Sequence, residues 1–348
     1  MLGIVSGRCF AGNAVILGCC DTVIATANST IGMGGPAMIE GGGLGVYTPE
    51  EVGPMSIMKQ NGVVDIAVED EVEAVAVAKQ YISYFQGPVK DWVCEDQRRL
   101  RHVVPENRLR TYEVRNAINL MADTDSVLEL RRDFGVGIIT CLARFEGRPV
   151  GIIANNPKHL GGAIDSDAAD KAARFMQLCD AFDLAIVSLC DTPGNMVGPE
   201  YEKEALVRHC GRLYVIGANV TVPIFTVVLR KGYGLGAQAM AGGSFHAPFF
   251  TISWPTGEFG GMGLEGAVKL GYRDLLAAIE DVDERREKYE EMVAKMYEQG
   301  KATNTASMFE LDDVIDPADT RRWIVSGLKA QPPKPVRIEK KRPWIDTW

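Results

Sequence analysis

Histidine is scarce in this sequence, with 4 residues in a chain of 348. The four are scattered, and their surroundings suggest no serine–histidine–aspartate arrangement. The chain also lacks the G-x-S-x-G nucleophile elbow and the GxxxxGK(S/T) phosphate loop. These absences argue against hydrolysis by an activated serine and against a P-loop nucleotide site.

Metal-binding motifs are absent as well. The 8 cysteines include no C-x-x-C pair and no Cys/His ligand spacing, so we expect no bound metal. Most of them lie in apolar runs, which indicates buried free thiols and a cytoplasmic location. The first residues, MLGIVSGRCF, lack the basic start of a secretory signal, and no apolar stretch is long enough to span a membrane.

The chain has no excess of positive charge, since its formal net charge is −9. An acidic protein lacks the clustered lysine and arginine that bind a phosphate backbone, so we expect no nucleic-acid partner. A local basic patch for a phosphorylated cofactor is compatible with this charge. The 46% of hydrophobic residues is enough for large buried cores.

Glycine, in contrast, is abundant, with 37 residues that form clusters beside apolar runs. This arrangement is typical of an α/β protein whose loops approach a ligand closely. We predict four segments: an N-terminal portion at 1–88, a linker at 89–115, a C-terminal domain at 116–330 and an extended tail at 331–348. The tail is compatible with docking on a neighbour and with a loose end.

Hydrophobic periodicity predicts the main elements. Residues 7–20 are predicted as a glycine turn and a buried helix, and 70–85 as an amphipathic helix with Val72, Val75 and Ile82 on its apolar face. Ser166 is the predicted cap of a helix that runs to residue 182. The other predicted elements are a hairpin at 137–155, strands at 21–26, 184–189, 223–229 and 249–254, and helices at 201–218, 233–241 and 281–299.

Two short turns carry the functional interpretation. The N-side turn is residues 10–14 (FAGNA) and the C-side turn is residues 233–237 (YGLGA), and each is expected to open a helix. The N–H groups at a helix start point outward at the positive end of the helix dipole, so they can stabilise an oxyanion. Close helix packing is the alternative explanation of glycine and alanine there, and the residues alone leave it open.

Several motifs follow one another in a recognisable order: 7–21 (GRCFAGNAVILGCCD), 155–157 (NNP), 161–175, 191–194 (DTPG), 230–234 (RKGYG) and 314–321 (VIDPADTR). Together they resemble the carboxyltransferase subunits of biotin-dependent acyl-CoA carboxylases. That family includes the β subunits of propionyl-CoA, acetyl-CoA and methylcrotonyl-CoA carboxylases. The resemblance extends to Leu328.

The resemblance implies a fold, the crotonase (ClpP-like) ββα superhelix, built as two related halves. In the family the N half binds the acyl-CoA and the C half binds carboxybiotin. Here the first strands of the N half have no counterpart before Met1. We therefore expect an incomplete N half, either truncated or completed by another chain.

The implied reaction transfers a carboxyl group from carboxybiotin to the α carbon of an acyl-CoA. Carboxybiotin releases CO2, the biotin nitrogen takes the α-proton, and the thioester enolate attacks CO2. The implied holders of the enolate are the N–H groups of Gly12 and Asn13, and those of Leu235 and Gly236 hold the ureido oxygen. Asn13 and Leu235 stand where the family has glycine, but a backbone N–H survives both changes.

Further site positions follow from the same resemblance. Those assigned to the substrate are Ala11, Gly34, Gly35 and Gln238. Those assigned to biotin are Asn155, Asn156, Asp191, Gly194, Tyr233 and Gly234. For Asn155, Asn156 and Asp191, the capping of loops is an equally good explanation.

The resemblance also implies partners. These are a biotin carboxylase or biotin carboxyl carrier subunit, the acyl-CoA, and further copies of the chain as dimer units of a hexamer. The chain itself has no A-M-K-M biotinylation motif. Two alternatives stay open: a biotin-dependent acyl-CoA decarboxylase subunit coupled to a membrane pump, and a non-catalytic assembly subunit of a carboxylase complex.

Overall fold

The computed structural model describes residues 1–332 and 338–348. Its strands are β1 (Leu2–Val5), β2 (Arg8–Phe10), β3 (Thr22–Thr26), β4 (Thr30–Gly32), β5 (Ile66–Val68), β6 (Leu128–Leu130), β7 (Ile138–Phe145), β8 (Arg148–Asn155), β9 (Ala185–Thr192), β10 (Ile224–Tyr233), β11 (Phe250–Ser253), β12 (Glu258–Gly260) and β13 (Asp313–Val314). Its helices are α1 (Gly12–Gly18), α2 (Pro36–Gly41), α3 (Pro49–Val52), α4 (Met55–Met58), α5 (Glu71–Ser83), α6 (Val114–Met121), α7 (Ser166–Ala181), α8 (Pro199–Glu202), α9 (Leu206–Asn219), α10 (Gly234–Met240), α11 (Leu264–Gly271), α12 (Arg273–Ala277), α13 (Val282–Gln299), α14 (Ala302–Ser307) and α15 (Thr320–Ala330). Short 3-10 turns occur at Gln97–His102, Leu160–Gly162 and Pro317–Asp319.

The largest sheet has the strand order β13-β11-β10-β9-β8-β7-β6, and β12 pairs with the end of β10. The β6–β7 and β7–β8 pairs are antiparallel, and the other neighbours are parallel. The β7–β8 hairpin turns at Glu146 and Gly147, whose φ angles are 49° and 74°. A type I′ turn requires such positive values at both central residues. The predicted hairpin is therefore confirmed.

Both faces of this sheet are covered. Every residue of β7 and β9 is buried, which explains why these strands are apolar runs without a polar face. Helix α7 contributes to the core on one face, which includes Leu142 of β7. Helices α6 and α15 contribute to the core on the other face, which includes the adjacent Ala143, because successive strand residues point to opposite sides.

The N-terminal portion is built from smaller sheets. Strands β1, β3 and β5 form a parallel sheet, and β2 pairs with β4. Residues of β3 and helix α1, among them Val23, Ala14 and Leu17, form a separate small core. Helix α5 instead contributes to the large α7 core of the C-terminal domain. The two portions of the chain are thus joined by a common core.

The α5 helix is confirmed, but its predicted buried face is wrong. Val72, Val75 and Ile82 are 80%, 48% and 45% exposed. The buried side chains include Ala78 and Tyr81, whose hydroxyl accepts a hydrogen bond from the Thr22 hydroxyl at 2.8 Å. Small alanines allow the helix to approach the sheet closely, so packing geometry overrides the larger apolar side chains.

Three further local predictions need correction. The helix expected at 201–218 is two helices, α8 and α9, because Ala205 adopts φ 60° between them. The cap of α7 is Asp165, whose carboxylate accepts from the Ala168 N–H at 2.9 Å, and not Ser166. Helix α1 was expected to be buried, yet its Val15 and Ile16 are 47% and 67% exposed. The predicted helix at 281–299 is confirmed as α13, with Asp281 as its cap.

A strand–turn–strand–helix unit recurs along the chain. It occurs as β1-β2-α1, as β3-β4-α2 and as β11-β12-α11. Strand β10 forms the same unit by bending: its register with β9 shifts between Val228 and Gly232, its end pairs with β12, and α10 follows. This recurrence is the predicted ββα repeat, and it places a helix-opening turn at the end of each second strand.

The predicted linker and tail both pack on the rest of the chain. Leu100 of the linker is 1% exposed in the α6 core. In the tail, the Trp348 ring lies 5.2 Å from the Phe134 ring, and the Asp346 carboxylate accepts from Gln177 at 2.7 Å. The end of the tail, residues 346–348, therefore packs on its own chain, whereas Ile338 is fully exposed and 333–337 lie outside the described residues.

Across residues 1–332 and 338–348, no helix combines the length and apolar character needed to cross a membrane. The same residues contain no group of three or more His, Cys, Asp or Glu side chains that could hold a metal ion. All eight cysteines lie in this part of the chain and are free.

Candidate functional site

The N-side turn lies where β2 and β4 end side by side. Phe10 pairs with Gly32 in the parallel register, and α1 begins at Gly12. The Phe10 ring packs on Gly35, where an added Cβ would lie 3.2 Å from the ring. The structure therefore brings the predicted residues Ala11, Gly12 and Asn13 to the same edge as the Gly34–Gly35 turn.

The backbone of the N-side turn leaves donors free. Ala11 has φ 53° and ψ −125°, and its carbonyl accepts the first helical bond from Val15 at 3.0 Å. The N–H groups of Gly12 and Asn13 make no hydrogen bond to any described residue. Both residues are exposed, so these donors are open to an incoming acceptor.

The C-side turn is more closely packed. Gly234 has φ 56°, and a Cβ there would lie 2.7 Å from the Gly261 carbonyl oxygen. A Cβ on Gly236 would lie 2.7 Å from the Gly194 backbone. The N–H groups of Leu235 and Gly236 donate to no described residue. Glycine is needed here because backbone lies directly against backbone.

Two assigned residues of α10 face outward. The Leu235 side chain is 64% exposed, and Gln238 is exposed as well. The Leu235 carbonyl accepts a hydrogen bond from the Tyr214 hydroxyl. This contact with α9 restrains the backbone at the start of α10.

The predicted biotin-side polar residues lie at the ends of β8 and β9. Asn155 and Asp191 are 0% and 1% exposed, and the Asn155 side-chain oxygen accepts from the Asp191 N–H at 3.1 Å. The Asn156 amide donates to the Val136 carbonyl at 2.8 Å. The first contact joins the ends of β8 and β9 and the second holds the segment after β8, and the assignment of the three side chains to biotin stays a prediction.

Three charged residues beside the turn were not singled out from the sequence. The Asp191 carboxylate lies 3.1 Å from the Arg230 guanidinium and 3.5 Å from the Lys231 ammonium. The Tyr233 hydroxyl donates to Glu258 at 2.9 Å, and burial raises the pKa of both the Tyr233 phenol and the Glu258 carboxyl. The RKGYG motif contains Arg230 and Lys231, but their shared contact with Asp191 could not be predicted, because it depends on the pairing of β10 with β9.

An apolar pocket of about 260 Å³ adjoins the C-side turn at the end of β12. Its lining includes Phe259, Gly260, Gly261 and Met262. Two larger cavities, of about 780 and 610 Å³, have more polar linings and contain neither turn. None of the lining residues of the small pocket belongs to the C-side turn, but Gly260 pairs with Tyr233 and Gly261 packs on Gly234, so the pocket lies next to that turn.

Comparison with known proteins decides the family. Residues 1–345 match the carboxyl transferase domain family. The chain belongs to this family. The predicted recognition is confirmed.

Among curated relatives, the chain is 33% identical over 343 residues to the methylmalonyl-CoA carboxyltransferase 12S subunit of Propionibacterium freudenreichii subsp. shermanii. The match covers 94% of this chain and 64% of that protein. The chain thus spans less than the full length of this relative.

Two solved structures show the same fold. A single-chain, multi-domain long-chain acyl-CoA carboxylase superposes with a TM-score of 0.88 and 59% identity, covering 93% of this chain and 32% of that one. The transcarboxylase 12S structure, described as a hexamer with methylmalonyl-CoA bound, gives a TM-score of 0.85 at 29% identity, with coverages of 98% and 67%. The α/β crotonase-like fold class is thereby confirmed.

Proposed function

We propose that this chain transfers a carboxyl group from carboxybiotin, presented by a carrier protein, to the α carbon of an acyl-CoA. The main support is the C-side turn, where two N–H groups are free and the glycine backbone is closely packed. The turn lies in a chain of the carboxyl transferase domain family. Bound carboxybiotin supplies the carboxyl group and the nitrogen that accepts the α-proton.

The C-side turn fits the planar ureido group of biotin. Gly234 and Gly236 let the backbone of the turn pack directly on Gly261 and Gly194, which fixes the positions of the turn's N–H groups. The N–H groups of Leu235 and Gly236 would hold the ureido oxygen as it gains negative charge, and preorganised donors of this kind lower the barrier without rearrangement. The adjoining apolar pocket offers a surface for the hydrocarbon part of biotin.

The N-side turn would hold the thioester. The N–H groups of Gly12 and Asn13 would bind the thioester oxygen as the enolate forms, with Ala11, Gly34 and Gly35 leaving room for the substrate. Helix α1 beside this turn has exposed apolar side chains. We propose that a second copy of the chain covers it, in dimer units of a hexamer. The described hexamer assembly of the 12S relative supports this.

The relatives favour a substrate class. Identity to the long-chain acyl-CoA carboxylase is 59%, against 33% to the methylmalonyl-CoA carboxyltransferase. We therefore propose a long-chain acyl-CoA as the preferred acceptor. Because this chain covers 32% of the multi-domain carboxylase, we assign biotin carboxylation and the biotin carrier to other polypeptide segments.

The domain assignment belongs to the same proposal. Residues 1–88 would form the acyl-CoA side, 116–330 the biotin side, and 89–115 the connection. The free cysteines fit a reducing compartment, which supports a cytoplasmic location.

The test is carboxylation by the chain purified with its biotin carboxylase and biotinylated carrier. With ATP and [14C]bicarbonate, the expected result is labelled carboxyacyl-CoA from a panel of acetyl-, propionyl- and palmitoyl-CoA, most of it from palmitoyl-CoA. A carboxylated carrier with no labelled product from any acyl-CoA would contradict the proposal and favour the assembly-subunit alternative. Release of CO2 from a carboxyacyl-CoA without net carboxylation would favour the decarboxylase alternative.

A further inference from the structure

Lys231 is a largely buried cation beside the C-side turn, and no motif assigned it a role. Its side chain is 19% exposed. The ammonium group donates to the Gly161 carbonyl and lies 3.5 Å from the Asp191 carboxylate. One side chain of β10 thus links the 3-10 turn at Leu160–Gly162 to the end of strand β9.

The two segments that Lys231 contacts also pack closely on each other. Gly162 lies so close to residue 191 that an added Cβ would stand 2.2 Å from the Asp191 carbonyl oxygen. The Ile164 N–H donates to the Gly194 carbonyl at 3.1 Å. A shift of the Gly161 loop would therefore be transmitted to Gly194.

Gly194 in turn supports the proposed oxyanion donors. Its backbone lies against Gly236, where a Cβ would come within 2.7 Å. The contacts therefore run without interruption from the Lys231 ammonium, through residues 161–164 and 191–194, to the start of α10. A small displacement of a donor from its productive position costs a large factor in rate.

Arg230 shares the same carboxylate but serves a different segment. Its guanidinium lies 3.1 Å from Asp191 and donates to the carbonyls of Arg108 and Arg110 at 3.2 and 2.8 Å. Arg230 therefore anchors the 108–110 segment, whereas Lys231 anchors the loop that supports the turn. Arg230 is paired with Oδ2 of Asp191 and Lys231 with Oδ1, so the two adjacent cations contact different oxygens of one carboxylate.

We propose that Lys231 is a positioning residue of the biotin side, which holds Gly161 and Asp191 so that Gly194 fixes the Gly236 N–H in place. The inference rests on the proposed carboxyl transfer and deepens it.

The test compares Lys231→Met and Lys231→Arg with Lys329→Met. Lys329 makes a half-exposed ion pair with Glu146, so its variant is the matched control. Chemically prepared carboxybiotin methyl ester is the probe. Its decarboxylation without acyl-CoA reports on the C-side turn alone, and palmitoyl-CoA affinity reports on the N side.

We expect Lys231→Met to lower the kcat of this decarboxylation about 100-fold with little change in KM, since donor placement is altered and access is not. Lys231→Arg should recover to within about tenfold of the wild type, because a cation again reaches the two loops. Lys329→Met should decarboxylate the probe at the wild-type rate. All three variants should bind palmitoyl-CoA with the wild-type affinity.

Two results would overturn the inference. One is a Lys231→Met kcat equal to that of the wild type. The other is Lys231→Arg losing as much activity as Lys231→Met while it keeps the wild-type melting temperature. If Lys231→Met fails to fold, the arginine variant decides. A wild-type chain that neither decarboxylates the probe nor carboxylates any acyl-CoA refutes the proposed function itself, which is a different outcome.

Discussion

The two helix-opening turns have the same backbone plan in different surroundings. Ala11 and Gly234 occupy corresponding positions, with φ angles of 53° and 56°. Each is followed by two residues whose N–H groups make no hydrogen bond in the described chain. Yet an added Cβ at Gly236 would meet backbone within 3 Å, whereas the corresponding Asn13 is exposed and a Cβ on the neighbouring Gly12 would meet nothing within 4 Å.

The two turns therefore share a backbone conformation but differ in how closely the rest of the chain packs on them. The C-side turn is packed by loops of its own chain, so its donors are fixed before any ligand or partner arrives. The N-side turn opens α1, whose Ile16 is 67% exposed. The same ββα unit therefore gives a closely packed turn in one place and an open turn in the other, and under the proposed function the open turn would be completed by another surface.

The largest expected effect comes from adding one methyl group to each turn. Gly236→Ala should lower carboxyl transfer by about 100-fold, because the Cβ forces the Gly194 backbone away and displaces the donors. Gly12→Ala should lower the rate less, because it keeps the Gly12 N–H and its Cβ meets no other part of the chain within 4 Å. Steady-state transfer of [14C]carboxyl to acyl-CoA measures both. An equal loss of transfer rate in the two variants would show that the difference in packing between the turns has no effect on activity.

A second expected effect concerns stability. Gly234→Ala places a Cβ at positive φ and 2.7 Å from the Gly261 carbonyl oxygen. We expect a loss of about 2–3 kcal/mol in the free energy of unfolding. Urea denaturation would measure it, with Gly271→Ala as control, because a Cβ at Gly271 contacts nothing within 4 Å. An unchanged midpoint would indicate that the C-side turn can relax.

In the N-side turn, we expect a substitution that increases stability, in contrast to the loss expected for Gly234→Ala. Ala11 has φ 53° and ψ −125°, a region in which only glycine is unstrained. We expect Ala11→Gly to raise the free energy of unfolding by about 1 kcal/mol, the relief of strain being partly offset by the entropy of the unfolded chain. Thermal unfolding tests this, and a lower melting temperature would show that Ala11 is not strained.

The smallest expected effect is the contribution of Glu258, on the C side, to the pH dependence of stability. Burial raises the pKa of Glu258, so the folded state keeps this proton to a higher pH than the unfolded state does. As the pH rises from the ordinary glutamate value through the raised one, the folded state binds more protons and its stability falls. Glu258→Gln should therefore stabilise the protein slightly at neutral pH and have little effect near pH 4.5, the ordinary glutamate value. Melting temperatures at the two values measure this, and an equal gain at both would exclude titration as the cause.

Periodicity predicted the elements better than their packing. The α5 helix was predicted, but its buried face was not, because close approach through Ala74 and Ala78 decides which side meets the sheet. The break at Ala205 escaped prediction because a left-handed alanine has no sequence signature. Local pattern thus predicts where a helix lies, while side-chain volume across the interface decides its orientation.

In the candidate site, too, the local elements could be predicted from the sequence but their contacts could not. The two turns could be predicted because glycine at a helix start has a direct backbone meaning. The Lys231 contacts to Gly161 and Asp191 join residues up to 70 positions apart, so they depend on strands being adjacent in the fold. Motifs supplied the residues, but not which of them touch.

The most direct test of the account is the decarboxylation of carboxybiotin methyl ester in the absence of acyl-CoA by the wild type, Gly236→Ala and Gly12→Ala. The account predicts an active wild type, a Gly12→Ala variant with the wild-type rate, and a Gly236→Ala variant slower by about 100-fold. A Gly236→Ala variant that retains the wild-type rate would contradict the assignment of the C-side turn to biotin.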